Sequence, residues 1–301
     1  MEQPIPSTTS RAASGATPRI DAHQHFWDVE SGQYAWPTPA DGVLFRTFGP
    51  ADLEPELRAA GIHGTVLVQT VDTLDDTDSM LAAADRHAFI AAVVCWLPLL
   101  DVGAAEAALD ARPHRRLRGI RHLIHREPDP DWLLRDDLAP GLALLAERGL
   151  SFDVVAVFPD HLRHVAEVAD RHPDLTLVVD HLAKPPFRSS GWSGWQAQLR
   201  GAAARPNVVA KISGLDTAAG VGWTTDELAP AVDIALEAFG ADRLLFGSDW
   251  PVCRLTSTYA DVVGAIERQV ARLSPNERGA ILGGTATRVY GIDLTAQVDP
   301  A

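Results

Sequence analysis

Eight strand-length runs, each leading into a segment of helical periodicity, constrain this chain more than any other feature. The runs at 19–25, 64–69, 89–97, 117–122, 150–157, 175–181, 207–213 and 243–250 alternate with helical patterns at 50–60, 75–86, 102–111, 137–148, 160–171, 192–204, 225–239 and 259–273. In Gly64-Thr-Val-Leu-Val-Gln69 the apolar residues are continuous, as in a strand buried on both faces of a parallel sheet. Patterns of period two that would mark hairpins are missing. The alternation predicts an α/β chain folded as a single (β/α)8 TIM barrel. An open doubly wound sheet is the other arrangement it allows, but no Gly-x-Gly-x-x-Gly follows the first strand. A last helix is predicted at Ser274-Pro275-Asn276-Glu277, where serine caps, proline takes the first helical position and glutamate completes a capping box.

The 301 residues suit one barrel, with residues 1–18 as a disordered N-terminal tail rich in Ser, Thr, Pro and Ala, 19–290 as the barrel and 291–301 as a C-terminal tail. No apolar run reaches the roughly 18–20 residues that a membrane span needs. The formal net charge of -14 argues against nucleic acid or an anionic membrane as partner, since both select basic surfaces, and favours a small neutral or polar substrate. Cys95 and Cys253, both in apolar surroundings, are too few for a disulfide framework and predict reduced thiols in a cytoplasm.

In such barrels chemistry sits at the C-terminal ends of the strands, and polar residues collect there in this sequence. The first strand ends in His23 and His25, the second in Gln69, the fourth in Arg121 and His122, the sixth in Asp180 and His181, the seventh in Lys211 and Ser213, and the eighth in Ser248 and Asp249. A strand puts alternate side chains on one face, so Asp21, His23 and His25 are expected together, with the two imidazoles roughly 6–7 Å apart at their backbones. That spacing suits convergence on one metal ion or one substrate oxygen; packed or surface histidines are the plainer reading. Arg118 and Arg121 differ by three and cannot both face inward on a regular strand, and Arg121 is the one nearer the mouth. Lys211 lies deeper, as a site residue or a buried ion-pair partner. The long stretch 29–50, with Tyr34, Trp36, Phe45 and Phe48, either closes over a ligand or packs onto the barrel.

Six blocks in order carry a resemblance to a known family. Asp-Ala-His-Gln-His-Phe-Trp at 21–27, the glycine-flanked block at 61–69, Arg-Gly-Ile-Arg-His at 118–122, Val-Asp-His-Leu-Ala-Lys-Pro at 179–185, Lys-Ile-Ser-Gly-Leu at 211–215 and Phe-Gly-Ser-Asp-Trp-Pro-Val-Cys at 246–253 resemble the amidohydrolase superfamily. More narrowly they resemble its sugar-lactonase branch, the L-fuconolactonase and L-rhamnonolactonase-like proteins. The resemblance implies a barrel enzyme that hydrolyses a sugar lactone, with His23, His25, His181 and Asp249 around the reacting centre. Asp249 would be the base that activates water, its pKa raised by burial, and His181 would orient the lactone or donate a proton. His23, His25 and Asp249 would hold a divalent metal, zinc first, or the two histidines would act directly as donors. Members with a single metal commonly carry a histidine at the end of the fifth strand. Here that strand reads Ser151-Phe-Asp-Val-Val-Ala156, leaving Asp153 as the substitute or the reaction free of metal. Arg121, His122 and Lys184 would contact ring hydroxyls or the new carboxylate, and Trp27, Tyr34 and Trp250 would give apolar walls. A metal-dependent decarboxylase of the same superfamily and a non-catalytic sugar-binding protein are the alternatives.

Overall fold

Residues 17–294 are described by a computed structural model, and within them the predicted alternation closes into a TIM barrel. Strands β1 (Ile20–Gln24), β2 (Gly64–Val68), β3 (Ile90–Cys95), β4 (Leu117–His122), β5 (Ser151–Val154), β6 (Leu177–Val179), β7 (Val208–Ile212) and β8 (Leu244–Phe246) pair in parallel in chain order. The seam between first and last strand is closed just beyond β8, where the Asp249 N–H donates to the His23 carbonyl at 2.8 Å and the His25 N–H to the Trp250 carbonyl at 2.7 Å.

Helices α1 (Pro50–Ala60), α2 (Leu74–Arg86), α3 (Val102–Asp110), α4 (Ala139–Glu147), α5 (Leu162–Arg171) and α6 (Trp192–Ala203) lie where periodicity placed them, within two residues at either end. So do α8 (Thr225–Phe239) and, except for a C-terminus three residues earlier, α9 (Tyr259–Val270). The five-residue α7 (Leu215–Ala219) is additional, too short to leave a periodic signature. The capping box of the last helical segment forms: Ser274 Oγ accepts the Glu277 N–H, and the Glu277 carboxylate accepts the Ser274 N–H at 2.8 Å. Three strands are shorter than their apolar runs suggest, ending at Val154, Val179 and Phe246; beyond the last two the chain turns Asp180, His181 and Asp249 toward the mouth, and beyond the first Val155 reaches it. The tails expected at 1–18 and 291–301 lie mostly outside the described residues. Of the described part, Ile292 is buried against the barrel floor, so the folded unit runs past 290.

Two apolar layers share the strands. Leu67, Val93, Phe152, Leu177, Ile212 and Phe246 face the helices. Val66, Val68, Val94, Val178, Val209 and Leu245 fill the lower lumen together with Tyr290, which plugs it from below. Burying such side chains stabilises the fold by roughly 1.5–3 kcal/mol each. The terminal segments cross tightly: a side chain at Gly283 would collide with the Pro18 carbonyl. Cys95 and Cys253 are buried free thiols, and among the described residues no helix is long and apolar enough to cross a membrane.

Above the apolar plug the lumen becomes polar through one contact, the Tyr290 hydroxyl donating to Asp153 Oδ2 at 2.7 Å. Tyr290→Phe should therefore cost about 1–2 kcal/mol, read as a fall in Tm by calorimetry. An unchanged Tm would show that the hydroxyl contributes nothing to the barrel's stability.

Candidate active site

The barrel mouth holds a cavity of ≈ 340 Å³ bordered by His25, Arg121, His181, Lys184 and Asp249, with Trp36 as its aromatic wall. His23 lies just beneath, fully buried. The two histidines of β1 converge as their spacing suggests, rings 4.8 Å apart. Asp21 does not join them: β1 shifts register between Asp21 and Gln24, and the Asp21 carboxylate is held by Ser248 and the Tyr259 hydroxyl.

His25 Nδ1 lies 2.8 Å from the Val68 carbonyl, which can only accept, so this ring carries a proton on Nδ1. Its Nε2 stands 3.1 Å from His23 Nε2 and 3.4 Å from Asp249 Oδ1, while His23 Nε2 and Asp249 Oδ1 are 3.7 Å apart. Three acceptor-type atoms this close need a proton or a cation among them. The donor atoms of a tetrahedral zinc lie about 3.3 Å from one another when its bonds are roughly 2.0–2.1 Å long, so the expected set His23, His25 and Asp249 fits a divalent ion. His181 extends that set, since ligand atoms of His23, His181 and Asp249 all lie within 4.8 Å. A side chain at Gly214 (φ +58°) would come within 2.8 Å of His181 Nδ1 and 3.1 Å of Asp249 Oδ2. Glycine keeps this corner open.

Beneath the histidines is a fully buried charge network. Lys211 Nζ donates to Asp153 Oδ2 at 2.6 Å and sits 3.1 Å from both Asp180 Oδ1 and His23 Nδ1. Arg121 reaches Asp180 Oδ2 (3.1 Å), Gln69 Oε1 (3.0 Å) and His23 Nε2 (3.3 Å). Lys211 is thus the buried ion-pair partner, and Asp153 is bound to it and to Tyr290, apart from the His23–His181–Asp249 cluster. Asp153 therefore does not take the place of a fifth-strand histidine. Burial pushes the Asp153 carboxyl up. It would do the same to Asp180, but Lys211, His23 and Arg121 hold that group well below the ordinary value.

The expectation that burial raises Asp249 is reversed. Desolvation does act upward, but His181, His25 and His23 outweigh it and hold the carboxyl below its ordinary value, so Asp249 is ionised. Burial lowers His23 and His181 despite their carboxylate neighbours, which leaves both imidazoles neutral near pH 7.

After β6 the chain does something no strand pattern signals. His181, Leu182, Ala183 and Lys184 all have positive φ, at 55°, 48°, 57° and 53°, one turn of left-handed helix without a glycine. At roughly 1–2 kcal/mol per L-residue the turn stores about 4–8 kcal/mol, a sum comparable to a domain's whole net stability. It carries both His181 and Lys184 to the cavity, and Ser213 Oγ lies 2.9 Å from His181 Nδ1.

Four expected contact residues fall elsewhere. Trp27 is buried, its indole N–H donating to the Arg46 carbonyl at 2.9 Å, and Trp250 is buried edge-on against Phe26 and Phe48. Trp27, beyond the end of β1, is drawn aside by an antiparallel bridge to Phe48, and Trp250, directly after Asp249, takes the opposite side of the chain. Tyr34 donates to Asp76 at 2.9 Å in a neighbouring cavity. His122 stacks on Trp132 and bonds Trp96 and Glu127, because Arg121, its neighbour on the strand, takes the inward position. In their place Trp36, His125 and Arg126 line the cavity. The run Arg-His-Leu-Ile-His-Arg at 121–126, directly after a strand, was the signal for the last two. Burial together with the nearby Lys184, Arg121 and Arg126 lowers His125 to about 3.

Comparison with known proteins places this geometry. The profile of the amidohydrolase family matches residues 20–292. The chain is 39% identical over 279 residues to the L-fucono-1,5-lactonase of Burkholderia ambifaria, covering 91% of this chain and 96% of that protein. It is 39% identical over 288 residues to the L-fucono-1,5-lactonase of Burkholderia multivorans, again covering 91% and 96%. A crystal structure of an amidohydrolase from Burkholderia multivorans with bound zinc superposes with a TM-score of 0.86 at 38% identity, covering 92% of this chain and 100% of that one.

Asp216 on α7 gives a pH test of the region. Burial raises its carboxyl to about 6, against hydrogen bonds from Thr256 and Ser257, and Asp249 adds to the rise. Between the unfolded value near 4 and the folded value the native state holds a proton that the unfolded state has lost. Stability relative to Asp216→Asn should therefore fall as pH rises from 4 to 6, by roughly 1.4 kcal/mol per unit, and level off above. Urea melts of both proteins across this range read the difference; parallel profiles would show an ordinary carboxyl.

Proposed function

We propose, from the premise that the chain belongs to the amidohydrolase family, that it hydrolyses a sugar lactone of the L-fucono-1,5-lactone kind by adding water to the ester carbonyl. The observation that carries this reading is the ionised Asp249 among three imidazoles at the wall of a cavity rimmed by Arg121, Arg126 and Lys184. A carboxylate so placed accepts a proton from water. The cationic rim suits a polyhydroxylated ring and the carboxylate that ring opening creates. The 39% identity to two L-fucono-1,5-lactonases over nine-tenths of the chain supports the substrate class.

Lactone hydrolysis needs an activated water, stabilisation of the tetrahedral oxyanion and a proton for the leaving hydroxyl. Asp249 takes the proton from water. Arg121, fixed by Gln69 and Asp180, presents its remaining N–H groups to charge that develops at the carbonyl oxygen, and is preorganised for it. The proton that Asp249 has taken from water passes to the leaving oxygen, and His181, with the Ser213 hydroxyl donating to Nδ1, orients the lactone by donating a hydrogen bond from Nε2–H. Lys184 and Arg126 hold ring hydroxyls, and Trp36 gives the apolar wall for the sugar ring.

His23, His25 and Asp249 are the residues that would hold a divalent metal, zinc by donor type, with Asp180 beside His23 Nδ1 as the orienting carboxylate and His181 next to the ion. Bound there, such an ion supplies a Lewis acid for the carbonyl. The metal-free protein should bind one equivalent of zinc by titration calorimetry, and His23→Ala should abolish that binding; retention of binding in the variant would move the site elsewhere.

Asp249→Asn should lower kcat on L-fucono-1,5-lactone by roughly 10²–10⁴ while the protein stays folded. A pH-indicator assay measures this, and near-normal turnover in the variant would remove Asp249 from the base role. A panel of 1,4- and 1,5-aldonolactones, run with and without zinc, tests the substrate class; no ring opening of any member would overturn it.

A further inference from the structure

We propose that Trp195 is a positioning residue for this hydrolysis: its indole N–H fixes the left-handed turn 181–184, and with it the aim of His181 and Lys184 into the cavity. The inference rests on the functional reading above for what the two side chains do there. It rests on geometry alone for how they are held.

L-residues leave the left-handed region unless their surroundings over-determine it. The turn is closed by a hydrogen bond from the Lys184 N–H to the His181 carbonyl at 2.9 Å. The two intervening carbonyls are anchored from outside. Ala183 O accepts the backbone N–H of Phe158 at 3.0 Å, and Leu182 O accepts Trp195 Nε1–H at 2.8 Å. The first anchor is backbone and available to any sequence; the second exists only because residue 195 is tryptophan. Leu182, Ala183 and Trp195 are all fully buried, so water cannot replace the indole N–H on the Leu182 carbonyl.

Packing alone does not call for that N–H. Trp195 sits on α6 against Trp192, with ring centroids 4.9 Å apart, and a phenyl ring would fill most of the same space. The bond it makes goes to the backbone between the two residues that reach the cavity, while Trp195 itself does not line it. Ser213 sets the ring of His181 through Nδ1, and Trp195 sets the backbone that carries the ring. A positive φ at these positions is the geometry glycine adopts without steric cost, which makes Ala183→Gly a means of easing the turn.

The test compares kcat and KM of the wild type, Trp195→Phe, the double variant Trp195→Phe/Ala183→Gly and a remote core control, Val232→Ala, below all unfolding transitions. Trp195→Phe should lose roughly ten- to a hundredfold in kcat, the double variant should recover part of that loss, and the control should stay within about twofold of wild type. Turnover of Trp195→Phe within about twofold of wild type, or a loss no larger than the control's, overturns the proposal. Should Trp195→Phe fail to fold, benzothienylalanine placed at 195 keeps the ring shape without the N–H and carries the same expectation. A wild type that opens no lactone would sink the functional reading instead. Positioning is then read from the His181 imidazole NMR signals, which should shift with the loss of the indole N–H and not in Val232→Ala; unchanged signals overturn it.

Discussion

The seam between the first and last strands is the constraint on which the rest of this structure depends. A barrel of eight parallel strands is complete only when β1 meets the chain leaving β8, and here the bonds that join them are made by the backbones of His23, His25, Asp249 and Trp250. Closing the barrel and bringing an imidazole pair to a carboxylate are therefore one event. Ser248, between β8 and Asp249, strengthens it by binding Asp21 through both its N–H and its hydroxyl. The imidazole–carboxylate arrangement is thus set by the fold's own closure.

Closure alone would leave several charges without solvent. Asp153, Asp180, Lys211 and Arg121 lie in a lumen from which water is excluded, and removing either member of such a pair leaves the other uncompensated. His23 stands among these charges, and burial, helped by Lys211, keeps it neutral against the pull of Asp180. The network also ties the mouth to the floor, since Asp153 is shared between Lys211 and Tyr290.

The left-handed turn after β6 shows where the protein accepts strain to reach the site. A regular strand end would send His181 and Lys184 to opposite faces; four residues at positive φ send both to one cavity. The opposing contributions are the burial of Leu182 and Ala183 and the hydrogen bonds on their carbonyls, all supplied by neighbouring elements.

Much of this was legible in the sequence. The order of strands and helices follows from continuous apolar runs and helical periods, and polar residues at the strand ends pointed to His23, His25, Arg121, His181 and Asp249 because a strand core has no other use for them. Lys184 came from the family resemblance, and the cavity border includes it. Tertiary structure alone decided the remainder. Trp27, Trp250 and His122 were expected at the cavity from the resemblance, but His122 and Trp250 directly follow Arg121 and Asp249, which take the inward place, and Trp27 is drawn aside by its bridge to Phe48. The direction of the Asp249 pKa depended on three imidazoles from two distant strands, whose distances no linear pattern encodes. Local periodicity records which face a residue takes while the backbone stays regular. A register shift in β1 and a left-handed turn after β6 are stabilised by contacts from elsewhere in the chain, so only the assembled barrel determines them.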